Sequence, residues 1–385
     1  MRDILILVWD DVGYDDCSST VTPNLTTFRA DGIDFPLAFS MQGCSQTRTC
    51  LHYGVLGRSI GILGDTGPSI PPHPIPDLGW PTIAQALSDE GYKTCLVGKW
   101  HSGHAPSDPT GNGWEMAPIE RGFDSWLAGS KANVTSFSSW ERIDADQNGF
   151  VASIETRYAT LAQVEAAEDW WITTTGPRFL MVCLNEPHVP FEQPPPELAP
   201  LLPPLPTPTQ RQRYLNKLTA ADTVLGRFLA LSGMDQAVVA CLSDNGTPGA
   251  GARTSKAGKV KGTTFDGGIH VPLVMRWPGS GSLAYDELVH VVDVPAACLT
   301  HAGPIQLPDE WDGRVLPPRK HVICEGMAGN GAIDQCARGK RYKLRNVVGV
   351  EEFYDLESDP GENAPLDLNA PAIQQQLTAL RAMLY

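Results

Sequence analysis

The stretch Gly43-Cys44-Ser45-Gln46-Thr47-Arg48 sets a thiol and a guanidinium four residues apart. In a helix starting near Cys44 the two side chains share one face. The helix N-terminus adds unpaired N–H groups and a partial positive charge at Cys44. A nucleophile in that setting suits an anionic substrate. Two acidic groups stand elsewhere in the chain: Asp10-Asp11, and Asp244-Asn245 beside Gly246. They offer only oxygen ligands, which suit Ca2+ or Mg2+ over Zn2+. Lys99, His101, His188 and Lys261 add cations and donors. A divalent metal among fixed cations is built to take a tetrahedral oxyanion away from water. The chemistry this points to is hydrolysis of a sulfate or phosphate ester by in-line attack from position 44.

These residues need elements to hold them, and most follow strand-like runs. Ile4 to Trp9 is continuously apolar and ends at Asp10-Asp11. Such a run reads as a central strand buried on both faces, as in a parallel sheet covered by helices. Sites in open α/β sheets lie at the carboxyl ends of strands. Tyr92 to Val97 reads as a strand before Lys99 and His101, Arg178 to Leu184 as one before His188, and Val238 to Leu242 as one before Asp244. Prolines on both sides of His188 restrict its backbone. Val271 to Trp277 is a further strand. Helices are expected over Pro81 to Gly91, Ser153 to Trp171, Gln210 to Leu231, His290 to Ala302 and Ala372 to Met383. The proline-rich stretch Pro194 to Pro208 reads as a stiff loop. After Gly303 the composition turns polar, with short strands near Val322 to Glu325 and Tyr342 to Arg345.

Composition narrows the class. A chain of 385 residues with 42% hydrophobic content supports one large α/β domain plus a small one. The net charge of −15 disfavours nucleic acid and acidic membrane surfaces as partners. No stretch reaches the length of a membrane span. Nine scattered cysteines without a CxxC pair argue against a disulfide scaffold and for a reducing compartment, so a cytoplasmic location is expected. Oligomeric state is left open.

Read together, the stretches VWDDVGYDD, CSQTR, GYKTCLVGKWHSG, RGFD, EPHVPF, SDNG, KGTTFDGGIHVPLVMRWPG, DGRVLPP and FYDLESDPGE resemble the sulfatases of the alkaline phosphatase superfamily. The resemblance covers nearly the whole chain. It implies an α/β fold with a large mixed, mostly parallel sheet flanked by helices over residues 1–310. A small C-terminal α+β subdomain would occupy 311–385. It also implies roles. Asp10, Asp11, Asp244 and Asn245 would hold Ca2+, with Mg2+ or Mn2+ as alternatives, and position 44 would complete the shell. Cys44 would be the residue that a maturation enzyme oxidises to formylglycine, whose hydrate supplies the attacking hydroxyl. Arg48 would stabilise the hydrate, and Lys99 and Lys261 would hold the sulfate oxygens. His101 would assist breakdown of the sulfated intermediate, and His188 would stand at the leaving-group oxygen as general acid or donor.

The chain departs from the family pattern at Gln46, where the modification motif carries Pro or Ala. That bears directly on whether Cys44 is converted. The chain is also shorter than many members, which implies a more open pocket for a small anionic ester. Two other readings stay open beside a sulfatase: a phosphodiester or phosphonate monoester hydrolase, and a non-catalytic oxyanion binder. His52, His73, His104, His270, His290, His301 and His321 are read as structural or surface residues. Cys17, Cys50, Trp100 and Trp114 are read as packing.

Overall fold

The computed structural model describes residues 1–65, 79–104, 107, 113–199, 207–316, 318–327 and 331–385. Its centre is the strand Ile4–Trp9, with every residue buried. Parallel neighbours lie on both sides, Arg178–Cys183 and Val238–Ser243. Two more parallel strands follow on one flank, Lys93–Lys99 and then Ser125–Ser130. An antiparallel hairpin, Trp140–Asp146 with Gly149–Glu155, ends that edge. On the other flank Leu273–Arg276 runs antiparallel and is followed by the short strands Ile33–Asp34 and Leu283–Ala284. The result is one ten-stranded mixed sheet.

Alternation along the central strand explains its unbroken apolar run. Ile4, Ile6 and Val8 enter one core, and Leu5, Leu7 and Trp9 enter the other, on the opposite face. The first core takes Leu51, Ile83, Leu87 and Leu299 from the helices Cys44–Tyr53, Ile83–Asp89 and Asp293–Ala302. The second takes Val164, Leu218, Val224 and Phe228 from Ala159–Thr173 and Gln210–Leu229. Thr82 with Gln85, and Thr209 with Gln212, form capping boxes that start two of these helices.

Three element boundaries differ from the sequence reading. Ser153 to Glu155 belong to the edge strand, so the helix read from Ser153 begins at Ala159. Val289–His290 is a short strand beside Ala38–Phe39, and the following helix starts at Asp293. The C-terminal strands are longer and more numerous than read. His321–Met327, Ile333–Gly339, Tyr342–Val347 and Val350–Asp355 form a four-stranded antiparallel sheet. Its Ala337, Leu344 and Phe353 pack against Leu377 and Leu380 of the helix Gln374–Leu384. Residues 200–206 of the proline-rich loop, His73 and Pro317 lie outside the described residues.

Candidate active site

Each of the five parallel strands delivers a polar group at its carboxyl end. Ile4–Trp9 leads to Asp10 and Asp11, and Val238–Ser243 to Asp244 and Asn245. Lys93–Lys99 ends on Lys99 itself, with His101 two residues on. Arg178–Cys183 leads to His188, and Ser125–Ser130 to Asn133. The helix Cys44–Tyr53 aims its N-terminus at the same edge, with Cys44 as its first residue and Gly43 as its cap. The sequence expectation that Cys44 opens a helix therefore holds.

Adjacent residues of an extended chain point to opposite sides. Asp11 escapes this by taking a left-handed backbone, φ 77°. Both carboxylates can then face one point. A non-glycine residue at positive φ costs of order 1–3 kcal/mol and is retained where the surroundings hold it. Here the Asp11 N–H donates to Asp244 Oδ1 at 3.1 Å. Gly246 is needed for close approach instead: a Cβ there would stand 2.1 Å from the Gly267 carbonyl oxygen.

The expected ligand set comes together. One ligand atom from each of Asp10, Asp11, Cys44 and Asp244 lies within 4.8 Å of the others, all buried. The Cys44 sulfur stands 3.4 Å from Asp10 Oδ1, 3.9 Å from Asp11 Oδ1 and 3.3 Å from Asn245 Oδ1. Asn245 Nδ2 donates to Asp11 Oδ1 at 2.7 Å. Asp11 Oδ2 is buried and accepts no hydrogen bond. Three clustered carboxylates and an orphaned carboxylate oxygen fit a hard divalent cation. A thiol is a poor ligand for such a cation, whereas an oxygen at position 44 would match the rest of the set.

Three cations stand among the three carboxylates. Arg48 lies on Asp244 Oδ2 through Nε at 3.0 Å and a terminal nitrogen at 2.8 Å. It also donates to the Lys99 carbonyl at 3.3 Å. Lys99 Nζ sits 2.7 Å from Asp10 Oδ2 and 2.5 Å from Asn133 Oδ1. Lys261 Nζ bridges Asp11 Oδ1 at 2.6 Å and the Cys44 sulfur at 3.1 Å. His188 Nε2 is 3.7 Å from Asp11 Oδ2, and its Nδ1 is 2.7 Å from the Val189 carbonyl. A carbonyl only accepts, so Nδ1 carries the proton and Nε2 faces the site. His101 is buried at φ 52°, and its backbone N–H donates to the Lys131 carbonyl.

The electrostatics follow from burial against these partners. Burial pushes Asp10 up, but Lys99, Arg48 and Lys261 outweigh it and hold the carboxyl well below its usual range. Burial and then Asp10 push Asp244 up to about 6, against Arg48 and Lys99. The Cys44 thiol is driven well up by burial and by Asp10 and Asp244, with Lys261 and Lys99 opposing. Burial works against charge on Lys99 and Lys261, yet their carboxylate partners raise both above the usual lysine value. Burial keeps His188 and His101 neutral, helped at His101 by Lys99 and Arg48.

Asn133 was not found from sequence, because the strand Ser125–Ser130 before it was not recognised. The strand-end rule that found the other segments would have placed it here. Gln46 is buried on the third position of the helix and donates from Nε2 to the Leu63 carbonyl at 2.9 Å. The histidines read as structural pack as such where described: His52 lies on Trp100, and His270 stacks on Tyr14 and Phe39.

Comparison with known proteins places this geometry. A model of the Sulfatase family matches residues 2–304. The N-acetylgalactosamine-6-sulfatase of Canis lupus familiaris is 27% identical over 362 residues, 83% of this chain and 64% of that protein. Arylsulfatase G of Rattus norvegicus is 25% identical over 474 residues, covering 99% of this chain and 86% of that protein. The chain thus spans less than two thirds of the N-acetylgalactosamine-6-sulfatases it matches. The solved structure of Ps i-CgsB in complex with k-i-k-neocarrahexaose shares the fold, with a TM-score of 0.81, 22% identity and coverage of 99% and 92% of the two chains. The phosphonate monoester hydrolase of Agrobacterium radiobacter shares it with a TM-score of 0.72 at 18% identity, covering 100% and 96%.

Proposed function

This chain belongs to the sulfatase family, and from that premise we propose that it hydrolyses sulfate esters of small alcohols or phenols with position 44 as the reacting group. The observation that carries the reading is the buried cluster itself. Asp10, Asp11, Asp244, Asn245 and Cys44 converge at the N-terminus of one helix, with Arg48, Lys99 and Lys261 among them. The donor set fits Ca2+, with Mg2+ or Mn2+ as alternatives, and Asp10, Asp11, Asp244 and Asn245 would hold it. Bound there, such a cation would polarise the oxyanion and the reacting oxygen. Formylglycine at position 44 would supply a hydroxyl nucleophile in place of a thiol.

The chain's own groups do the remaining work. The Lys261 ammonium reaches the reacting atom directly and remains charged across the neutral range, so it binds an ester oxygen there. Lys99 stands behind Asp10 and adds a second fixed cation to the pocket. Arg48 holds Asp244 through two N–H donors and so fixes the metal-facing carboxylate. His188 presents a bare Nε2 at the mouth; after taking up a proton it can hand it to the departing oxygen. His101, also neutral, stands beside Lys99 as a proton acceptor for the group at position 44.

Protein produced with and without a formylglycine-generating maturation enzyme tests this reading. The peptide carrying position 44 is weighed, and both preparations are assayed with an aryl sulfate and an aryl phosphodiester. Sulfate hydrolysis that tracks the converted fraction supports the proposal. A large preference for the phosphodiester would move the assignment to phosphoryl chemistry, which needs the same charges and in-line geometry. Tight sulfate binding without turnover in converted protein would mark a non-catalytic binder. The proposed cytoplasmic location rests on the scattered spacing of the nine cysteines in the sequence. No helix among the described residues is long and apolar enough to cross a membrane.

A further inference from the structure

We propose that the C-terminal antiparallel sheet is a positioning clamp for Lys261, acting through a buried ion cluster of Asp266, Lys343 and Glu362. The proposal rests on Lys261 binding the oxyanion. It adds a role for a part of the chain beyond residues 2–304, the span that the family model matches.

Lys261 lies on an irregular segment that needs outside support. Toward the catalytic half, that segment is held near Lys261 by two backbone bonds. The Lys261 N–H donates to the Thr247 carbonyl at 3.0 Å, and the Gly262 N–H to the Gln42 carbonyl at 2.9 Å. Toward the C-terminal half, side chains grip it on both sides of Lys261. Two residues before it, Lys259 Nζ caps the turn at 361–363, at 2.5 Å from the Gly361 carbonyl and 2.7 Å from both the Glu362 carbonyl and Asn363 Oδ1. Three residues after it, Thr264 donates from both its N–H and its hydroxyl to Asp334, and Arg345 holds the same pair. Five residues after it, the Asp266 N–H donates to Glu362 Oε2 at 2.7 Å. The Asp266 carboxylate meets Lys343 at 2.8 Å and Arg338 at 3.2 Å, and Lys343 meets Glu362 at 2.7 Å.

The chemistry of that grip argues for aim over adhesion. Lys343 is wholly buried, and Glu362 nearly so. Burying such ions costs several kcal/mol each before their attraction repays it, so apolar contacts would attach a sheet as well or better. The same sheet already has an apolar core with its helix. What paired ions add is direction, because each hydrogen bond fixes a position. The segment also folds closely against itself at Gly267 and Gly268. A Cβ on Gly267 would stand 2.0 Å from the Lys259 carbonyl oxygen, and one on Gly268 2.2 Å from that of Thr263. A shift of the clamp therefore passes directly to Lys261, and misplacement of a binding group by about 1 Å is enough to cost affinity.

Inorganic sulfate is the probe, titrated calorimetrically into the full chain, so no turnover is required. Lys343→Met, Lys259→Met and Lys261→Ala are compared singly, and each clamp variant is combined with Lys261→Ala. If the clamp works through Lys261, Lys343→Met and Lys259→Met each weaken sulfate binding about tenfold in the otherwise native protein and change nothing once Lys261 is gone. Equal weakening in both backgrounds would show that these residues only hold the sheet, and overturns the proposal. Unchanged affinity in a folded single variant overturns it as well. Lys259 is half-exposed, so its variant carries the test where Lys343→Met fails to fold. A native protein that binds no sulfate refutes the reading of Lys261 itself, an outcome distinct from failure of the clamp.

Discussion

The proposed site is predicted to bind calcium, and to bind it more weakly below pH 6, by an amount set by the surroundings of Asp244. Burial, then the neighbouring Asp10, push that carboxyl up to about 6. Asp10 is held low, against its burial, by Lys99, Arg48 and Lys261 and stays charged through the same range. One proton therefore competes with the cation at this site between pH 5 and 7.5. The charged fraction of Asp244 is about 0.97 at pH 7.5 and about 0.09 at pH 5, so apparent affinity falls roughly tenfold, or about 1.4 kcal/mol. In metal-free protein the sign is opposite. The folded value lies above the unfolded 3.8, so the stability contributed by Asp244 is complete below pH 3.8 and is lost as pH rises through about 6. Added calcium should thus raise the melting temperature more at pH 7.5 than at pH 5. Calorimetric titration of calcium at both pH values, at fixed ionic strength, measures the effect. Asp244→Asn should bind more weakly and lose the pH dependence. A native affinity that is flat from pH 5 to 7.5, or that improves on acidification, refutes Asp244 as a ligand.

The other predictions concern single side chains. Thr47 makes the first backbone bond of the helix Cys44–Tyr53, to Gly43, so Gln46→Pro removes no helix bond. It loses the side-chain bond to Leu63, about 1 kcal/mol. Co-expressed with a maturation enzyme, Gln46→Pro should convert a larger fraction of Cys44 than the native chain, as read by peptide mass; equal fractions would clear Gln46 of blame. Arg48→Lys breaks the double contact with Asp244 inside a buried site, which should cost about 3 kcal/mol in chemical denaturation under chelator; a loss below about 1 kcal/mol would count against the pairing. Asn133→Ala frees Lys99 from its second partner and should lower kcat/KM for an aryl sulfate about tenfold with little change in melting temperature. Unchanged kinetics there would make Asn133 a bystander.

How much of this was legible depended on where the charges lie relative to apolar runs. Asp10-Asp11 after six buried residues, and Asp244-Asn245 after another such run, break pattern at a point that only a site or a turn explains. The central strand and its two parallel partners were readable for the same reason: they are buried on both faces and carry no alternation. The edge hairpin was missed because residues 150–154 are exposed and blend into the helix behind them. The Asn148-Gly149 pair was its signal, a turn dipeptide between two strands. Asn133 was hidden by a short strand that kinks at Ala128, φ 43°. The clamp could not be read at all. Asp266, Asp334, Lys343, Arg345 and Glu362 look like ordinary surface charge, and only the packing of the antiparallel sheet on the Lys261 segment brings them together.

Exposure within the candidate site divides its residues into a shielded set and an open one. Asp10, Asp11, Asp244, Asn245, Arg48 and Lys99 are wholly shielded from solvent. Lys261 keeps 19% of its side chain exposed, His188 keeps 10%, and Asn133 is open. Under the proposed function, and among the described residues, an ester reaches position 44 past these three, with its oxyanion innermost and its alcohol outward. In that reading the buried charges bind what all sulfate esters share, in surroundings where each contact is strong because water is excluded. Lys261 goes to an oxyanion oxygen, and the imidazole of His188 and the carboxamide of Asn133, left for the alcohol, recognise an oxygen without selecting a carbon skeleton. Discrimination among substrates by this half of the site should accordingly be weak, and a panel of aryl and alkyl sulfates should differ more in leaving-group chemistry, through kcat, than in binding.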